Sequence, residues 1–321
     1  MSQLSLYIAD IPLEAGVLIL AVMLDLLGRE LPGRIHPTVW MGYTVRVAQR
    51  VAPRTRAAGL VAGTLIAVFI PAFWAACAWV ASWGLAELHW AAYLIGGAAL
   101  LKTTFAVRML HRVAAQTESL ALQGDLPGLR HNMRSLVSRD VSEITVGQAI
   151  AATVESVSEN TTDSFVGVWL AFALFGLPGA FAYRAINTLD SMIGYRGEYE
   201  FLGKAAARLD DLVNLAPARV TALMLGLGSL MLPGQRAGEA FRVMWRDHAR
   251  TASPNAGWTM AGMAGALGVE LAKEGHYRLG DATRPLEPKD ITRSVQSMYF
   301  IAGLGIAITL ALLLLKERMF G

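Results

Sequence analysis

Residues 57 to 86 run without a single charged side chain, and no other feature limits the possible folds of this chain so strongly. A membrane-spanning helix needs roughly 20 mostly apolar residues, and this block exceeds that length. Gly59 and Gly63 give it a small-xxx-small face that admits close packing. Five further blocks repeat the pattern: 11 to 28, interrupted by Glu14 and Asp25; 88 to 107, apolar except for Lys102; 164 to 183; 220 to 235; and 294 to 315. Lys102 is expected to snorkel, its stem in the apolar layer and its ammonium outside it. The expected fold is therefore an all-α, polytopic integral membrane bundle of about six spans, with amphipathic or re-entrant helices between them. It forms one membrane-embedded domain over residues 1–321.

Composition agrees, with 54% hydrophobic residues, 17% charged residues and a mean hydropathy of +0.43. The single cysteine, Cys77, lies within an apolar run, so neither a disulfide framework nor a thiolate metal site is expected. The opening MSQLSLYIADIPLE has no basic n-region, so the first apolar block is expected to be retained and not cleaved as a signal peptide. The arginines are scattered among the apolar blocks, as the positive-inside rule requires and unlike a nucleic-acid-binding patch. Residues 29 to 56 hold six arginines against one glutamate and should face the cytoplasm. Strict alternation then puts 184 to 219, with five Lys and Arg, on the other side. Either a neighbouring block is re-entrant or that segment folds back into the bundle.

The stretch RSLVSRDVSEITVGQAIAATVESVSENTTD, 134 to 163, puts a dense set of polar groups between apolar blocks. It reads as one or two helices, with Asp140 and Glu143 as a capping pair. Glu155, Glu159 and Asp163 recur at i, i+4 and i+8 on one face. Like charges so arranged are either solvated or gathered for a metal ion or basic ligand. Ser156, Ser158, Asn160, Thr161 and Thr162 surround them and no lysine appears, which favours a site.

Three more segments carry chemistry. In YRAINTLDSMIGYR, 183 to 196, Arg184, Asn187 and Asp190 form one polar edge. That edge either lines a cavity or is an ion pair tethering two helices. RLDDLVN, 208 to 214, places Asp210, Asp211 and Asn214 on one turn, which suits magnesium bridged to a polyphosphate or, equally, an ordinary acidic helix end. SPNAG, 253 to 257, is a tight turn whose amides could also hold an anion. His36, in GRIHPTVWMG, has a structural and a functional reading of equal weight. Walker A is absent, because GEYEFLGKA has one residue too many and an alanine at the metal-binding position. No histidine pair has metal-ligand spacing, and Asn160-Thr161-Thr162 matches the glycosylation sequon only by chance.

Taken in order, HP near the first span, RSLVSRD, ESVSENTTDS, YRAINTLDSMIGYR, RLDDLVN with AR following, and SPNAGW resemble the CobD/CbiB family of membrane-embedded adenosylcobinamide-phosphate synthases. The likeness runs from about Asp25 to Gly268. It implies an ATP-dependent amide ligase of cobalamin biosynthesis in the bacterial cytoplasmic membrane. Such an enzyme joins adenosylcobyric acid to aminopropanol or its O-phosphate through an acyl phosphate, with ATP and Mg²⁺.

The resemblance also implies roles. Glu155, Asp163, Asp210 and Asp211 would bind metal. Glu159, Glu155, Arg139 and Asp190 would be catalytic, with Glu159 as general base. Ser138, Asn160, Arg184, Asn187, Arg208, Ser253 and Asn255 would bind substrates. The expected partners are the corrinoid, the amine phosphate, membrane lipid and a homo-oligomeric copy, with no nucleic acid. After Asp25 the chain reads LLGRELPGRIHP where the family pattern is closer to LGDP, so the acid after Gly28 is missing. Two rival readings are an AmpE-like sensory protein and a UbiA-like magnesium-dependent prenyltransferase, whose aspartate-rich motifs normally hold more aspartates.

Overall fold

The computed structural model describes residues 7–8, 11–28, 31–53, 55–134, 141–195, 197 and 199–320. Its helices are α1 (Leu13–Leu27), α2 (Pro37–Val51), α3 (Arg56–Leu88), α4 (Trp90–Lys102), α5 (Val107–Gln123), α6 (Leu126–Met133), α7 (Val146–Thr161), α8 (Gly167–Ile193), α9 (Lys204–Val213), α10 (Leu215–Met231), α11 (Ala237–Asp247), α12 (Ala256–Leu267) and α13 (Lys289–Phe320). Two small antiparallel hairpins complete it: β1 (Tyr7–Ile8) with β2 (Ile11–Pro12), and β3 (Glu270–Lys273) with β4 (Tyr277–Gly280). The all-α membrane fold is as expected.

Among the described residues, four helical stretches are long and apolar enough to cross a membrane: Arg56–Leu88, Trp90–Gln123, Val146–Ile193 and Lys289–Met319. A fifth exists only if α9 and α10 count as one span across the break at Asn214. The expected six is thus too many, for two local reasons. The block 11 to 28 yields only the 15 residues of α1, about 22 Å of helix against a hydrocarbon core of about 30 Å. The block 220 to 235 belongs to the 17-residue α10, also short when taken alone.

The chain forms two interleaved compact units: residues 1–106, 167–213 and 306–321, and residues 107–166 and 214–305. In the first, α3 packs along α8, α4 and α9, and α1 lies against α4. Gly63 is where α3 meets residue 202, for a Cβ there would run into the Leu202 backbone; Gly59, one turn earlier, faces Phe201. The small-residue face therefore exists, and it receives a loop backbone. Val45, Ala67, Leu189, Ile193 and Ala206 form a buried cluster joining α2, α3, α8 and α9. Helix α8 is broken at Gly176, whose φ of 66° is a left-handed conformation that glycine adopts without Cβ strain.

Lys102 does not snorkel. Its ammonium lies within reach of Asp25 on α1, and both side chains are buried. His36 takes a structural role: its Nδ1 accepts from the Thr38 amide at 3.3 Å, capping α2 ahead of Pro37.

In the second unit, α12 packs on α11, α10 and α7, and α5 packs on α7 and α6. The β3–β4 hairpin turns through Gly275 at φ 72° and is tied to α11 by Asp247, which accepts from the Gly280 amide at 2.9 Å.

Candidate functional site

The candidate residues fall into two groups, one on each unit. On the first unit they ride on the C-terminal part of α8 and on α9. Arg184, Asn187 and Asp190 are half-buried along one edge, between the buried Ala185, Ile186, Leu189 and Ile193. Arg184 Nη1 donates to Asn187 Oδ1 at 3.2 Å. The Asp190 carboxylate lies over Gly194, where any Cβ would collide with it. That contact accounts for the glycine in the motif. Leu189 and Ile193 share their cluster with Ala206, and Leu209 packs against it. In this way α9 is held beside α8, with Asp190 and Asp211 close enough to repel one another. Arg208 Nη1 stands 3.7 Å from Asp211 Oδ2, with the arginine side chain 77% exposed. An exposed guanidinium beside a carboxylate can take a phosphate and its counter-ion together.

On the second unit the acids ride on α7. The helix starts at Thr145, whose hydroxyl accepts from the Gln148 amide while Gln148 reaches back to the Thr145 amide. This capping box replaces the expected pair; Asp140 lies outside the described residues, as do Ser138 and Arg139. Residues 149 to 158 are buried throughout, Glu155 among them at 6% exposure. The solvated-face reading of this helix therefore does not hold. Hydroxyls of Thr153, Ser158 and Thr161 fold back onto carbonyls four residues earlier, so an interior helix carries polar residues without stranding them. Asn160 is fixed at both ends, its Nδ2 donating to the Ser156 carbonyl at 2.9 Å and its Oδ1 accepting from Ser164 at 3.0 Å. After Thr161 the backbone widens into a π turn over Thr162–Val166 that carries Asp163. Glu155 and Glu159 share a face, and Asp163 follows in the wider turn.

SPNAG is the expected turn, and it starts α12. The Ser253 hydroxyl accepts from the amides of Asn255 at 3.2 Å and Ala256 at 3.4 Å. Asn255 is buried, and Arg219 of α10 donates to its Oδ1 and to the Pro254 carbonyl. The sequence signal for Arg219 was only the AR after RLDDLVN, and the reading of the sequence gave it no role. Lys102 and Asp25 escape sequence reading as a pair, because Asp25 interrupts one apolar block and Lys102 is expected to snorkel out of another. Among the described residues, no three His, Cys, Asp or Glu side chains gather closely enough to hold a metal by themselves.

Fold and site together define a polytopic, helical membrane protein that carries carboxylates and arginines on helices next to its apolar spans. The chain belongs to the CobD/CbiB family: the family model described as CobD/Cbib protein matches residues 18–298. It is 41% identical over 281 residues to the cobalamin biosynthesis protein CobD of Dehalococcoides mccartyi, covering 87% of this chain and 91% of that one. It is 36% identical over 296 residues to the protein of the same name in Geobacter metallireducens, covering 89% and 93%. With the cobalamin biosynthesis protein CbiB of Salmonella choleraesuis it shares 35% identity over 296 residues, covering 86% and 90%. No solved structure matches the chain.

Proposed function

We propose that this chain acts in cobalamin biosynthesis, in the bacterial cytoplasmic membrane, as an ATP-dependent amide ligase. Its substrates are adenosylcobyric acid and aminopropanol O-phosphate, and its product is adenosylcobinamide phosphate. The family and the names of its relatives support the pathway. The observation that carries the chemistry is the exposed Arg208 at 3.7 Å from Asp211 on α9, the helix packed beside the Asp190 edge of α8.

A carboxylate is a poor electrophile, so the γ-phosphoryl of ATP first passes to the corrinoid propionate, giving an acyl phosphate and ADP. The amine then attacks that carbonyl carbon and phosphate leaves. Magnesium, when bound, neutralises the phosphate charge during transfer. Asp210 and Asp211 would hold it, and Glu155 and Asp163 carry the same proposed role. Magnesium commonly takes one or two carboxylates, which Asp210 with Asp211, or Glu155 with Asp163, would supply separately, and leaves its other positions to water and phosphates. Arg208, Arg184 and Arg139 clamp phosphate and carboxylate oxygens, for which the guanidinium fork is suited. Glu159, half-buried on α7, receives the amine proton. Asp190 offsets the positive charge that develops on the attacking amine nitrogen, while Ser138, Asn160, Asn187, Ser253 and Asn255 orient the substrates.

The test is a coupled assay on purified, detergent-solubilised protein, following ADP release and corrinoid product together. Product that requires protein, Mg²⁺-ATP, adenosylcobyric acid and aminopropanol phosphate supports the ligase. Folded protein that yields neither ADP nor product overturns it.

A further inference from the structure

We infer that α10 and α11 lie together in the plane of the membrane surface. The outer face of α10 is turned into the acyl layer and the Phe241–Trp245 edge of α11 sits at headgroup depth, so that the block 220 to 235 meets lipid without crossing it. The inference rests on the membrane location of the chain and is independent of the ligase reading.

The two helices are joined by five residues, Leu232 to Arg236. Gly226 stands five residues before the end of α10, where any Cβ would strike the ring of Phe241, four residues beyond the start of α11. The helices therefore run side by side in opposite directions, pressed together at that glycine. On α10, Leu223, Leu227, Leu230 and Met231 are exposed at i, i+4, i+7 and i+8, one stripe without a polar group. Met224, Leu225, Gly228 and Ser229 between them are buried.

Helix α11 has three faces. Val243 and Met244 are buried against Gly265 and Gly262 of α12. Phe241 and Trp245, one turn apart, are exposed, Trp245 by 74%. Arg242 and Arg246, also one turn apart, both donate to Asp281. With 3.6 residues per turn, the order round α11 away from α10 is Phe241, Trp245, Arg242, Arg246. Leucine stripe, aromatic edge and charged network thus follow one another across the pair of helices, the order in which acyl chains, headgroups and water follow one another at a bilayer surface.

A crossing α10 conflicts with this order. Phe241 faces Gly226, so Arg242 stands level with the middle of the leucine stripe, and the side chains of Arg242 and Asp281 are 48% and 39% exposed. Crossing would carry those charges to the depth of the acyl chains, where they are costly. Laid in the plane, the pair keeps its stripe in lipid and its charges in water.

The test uses the full-length protein in vesicles of phosphatidylcholine and phosphatidylglycerol. Leu223→Cys, Leu230→Cys and Trp245→Cys, each combined with Cys77→Ala, carry a nitroxide label, and depth is read from its access to oxygen against a water-soluble nickel chelate. All three labelled positions are exposed, so substitution there leaves the fold standing. The labels at Leu223 and Leu230 should report one depth although seven residues, about 10 Å of helix, separate them. The label at Trp245 should report a shallower one. Depths at Leu223 and Leu230 that differ by about 10 Å would mean that α10 crosses. Labels open to the chelate would mean that no lipid covers the stripe, and coupling between labels of two copies that exclude both reagents would mean that a second chain does. Each of these results, or a Trp245 label as deep as the other two, overturns the inference. Trp245→Phe adds a measurement without labels: the tryptophan fluorescence it removes should be quenched most by lipid brominated near the headgroup, and fluorescence that brominated lipid leaves untouched overturns the inference as well.

Discussion

Lys102 Nζ lies 3.2 Å from Asp25 Oδ1, with side-chain exposures of 7% and 0%, so α4 and α1 meet through an ion pair sealed from water. Breaking a buried pair by removing one partner costs about 3–5 kcal/mol, whereas replacing both by apolar groups of similar volume is near neutral. Asp25→Asn and Lys102→Met should each lower the unfolding midpoint sharply in detergent. Asp25→Leu combined with Lys102→Met should recover most of the loss. Unfolding monitored by circular dichroism decides it, and single variants as stable as wild type would rule out the pair as a structural tie.

Gly63 and Gly59 make a graded pair. A Cβ at Gly63 would stand 2.8 Å from the Leu202 carbonyl carbon, a backbone atom with no rotamer to yield. At Gly59 the nearest atoms are 3.3 and 3.4 Å away. Gly63→Ala should therefore cost about 1–3 kcal/mol by overpacking, and Gly59→Ala markedly less. Equal stabilities for the two variants would show that α3 does not depend on this approach.

Asp247 should contribute acid sensitivity to the second unit. Burial pushes its carboxyl up, but hydrogen bonds from Arg246 and the Gly280 amide, with the charges of Arg246 and Arg250, outweigh that and hold it below the usual carboxylate range. A depressed carboxyl contributes stability that is present above its unfolded value of about 3.9 and is lost as pH falls through the lower native value. Asp247→Asn should cost about 1.5–3 kcal/mol at neutral pH, since it removes charged hydrogen bonds. The gap between the midpoints of variant and wild type, measured from pH 7 to pH 3, should begin to narrow only below about pH 4. A gap that stays constant with pH would mean the network adds nothing through its charge.

What was legible in the sequence was whatever depended on local chemistry. The block 57 to 86 announced α3 because hydrophobicity over that length has few other uses, and the glycine pair within it foretold a close approach. The order of YRAINTLDSMIGYR, RLDDLVN and SPNAG pointed to the family before any fold was known. Asp25 and Lys102 resisted reading because a charge in an apolar block signals a flaw or a partner, and its partner was 77 residues away. Arg219 was hidden similarly: its grip on Asn255 spans 36 residues, and only the fold closes that distance. The π turn escapes because an α-helical count assumes 3.6 residues per turn throughout.

The proposed division of labour among the acids makes the last prediction. Glu155→Gln, Asp190→Asn and Asp210→Asn preserve shape while removing charge, so each should reduce corrinoid amidation about 100-fold or more with membrane insertion and unfolding midpoint largely kept. Glu159→Gln removes the proposed proton acceptor and should cost about 10²–10⁴-fold. The roles separate on titration with Mg²⁺. A variant that weakens metal-phosphate binding, as Asp210→Asn should, regains rate as Mg²⁺ rises, because mass action refills a weakened site. Glu159→Gln has no such deficit, so its rate should stay flat over the same range. Rescue of Glu159→Gln by magnesium would move that residue from base to metal ligand. Full activity in Glu155→Gln, Asp190→Asn and Asp210→Asn alike would remove these acids from the reaction altogether.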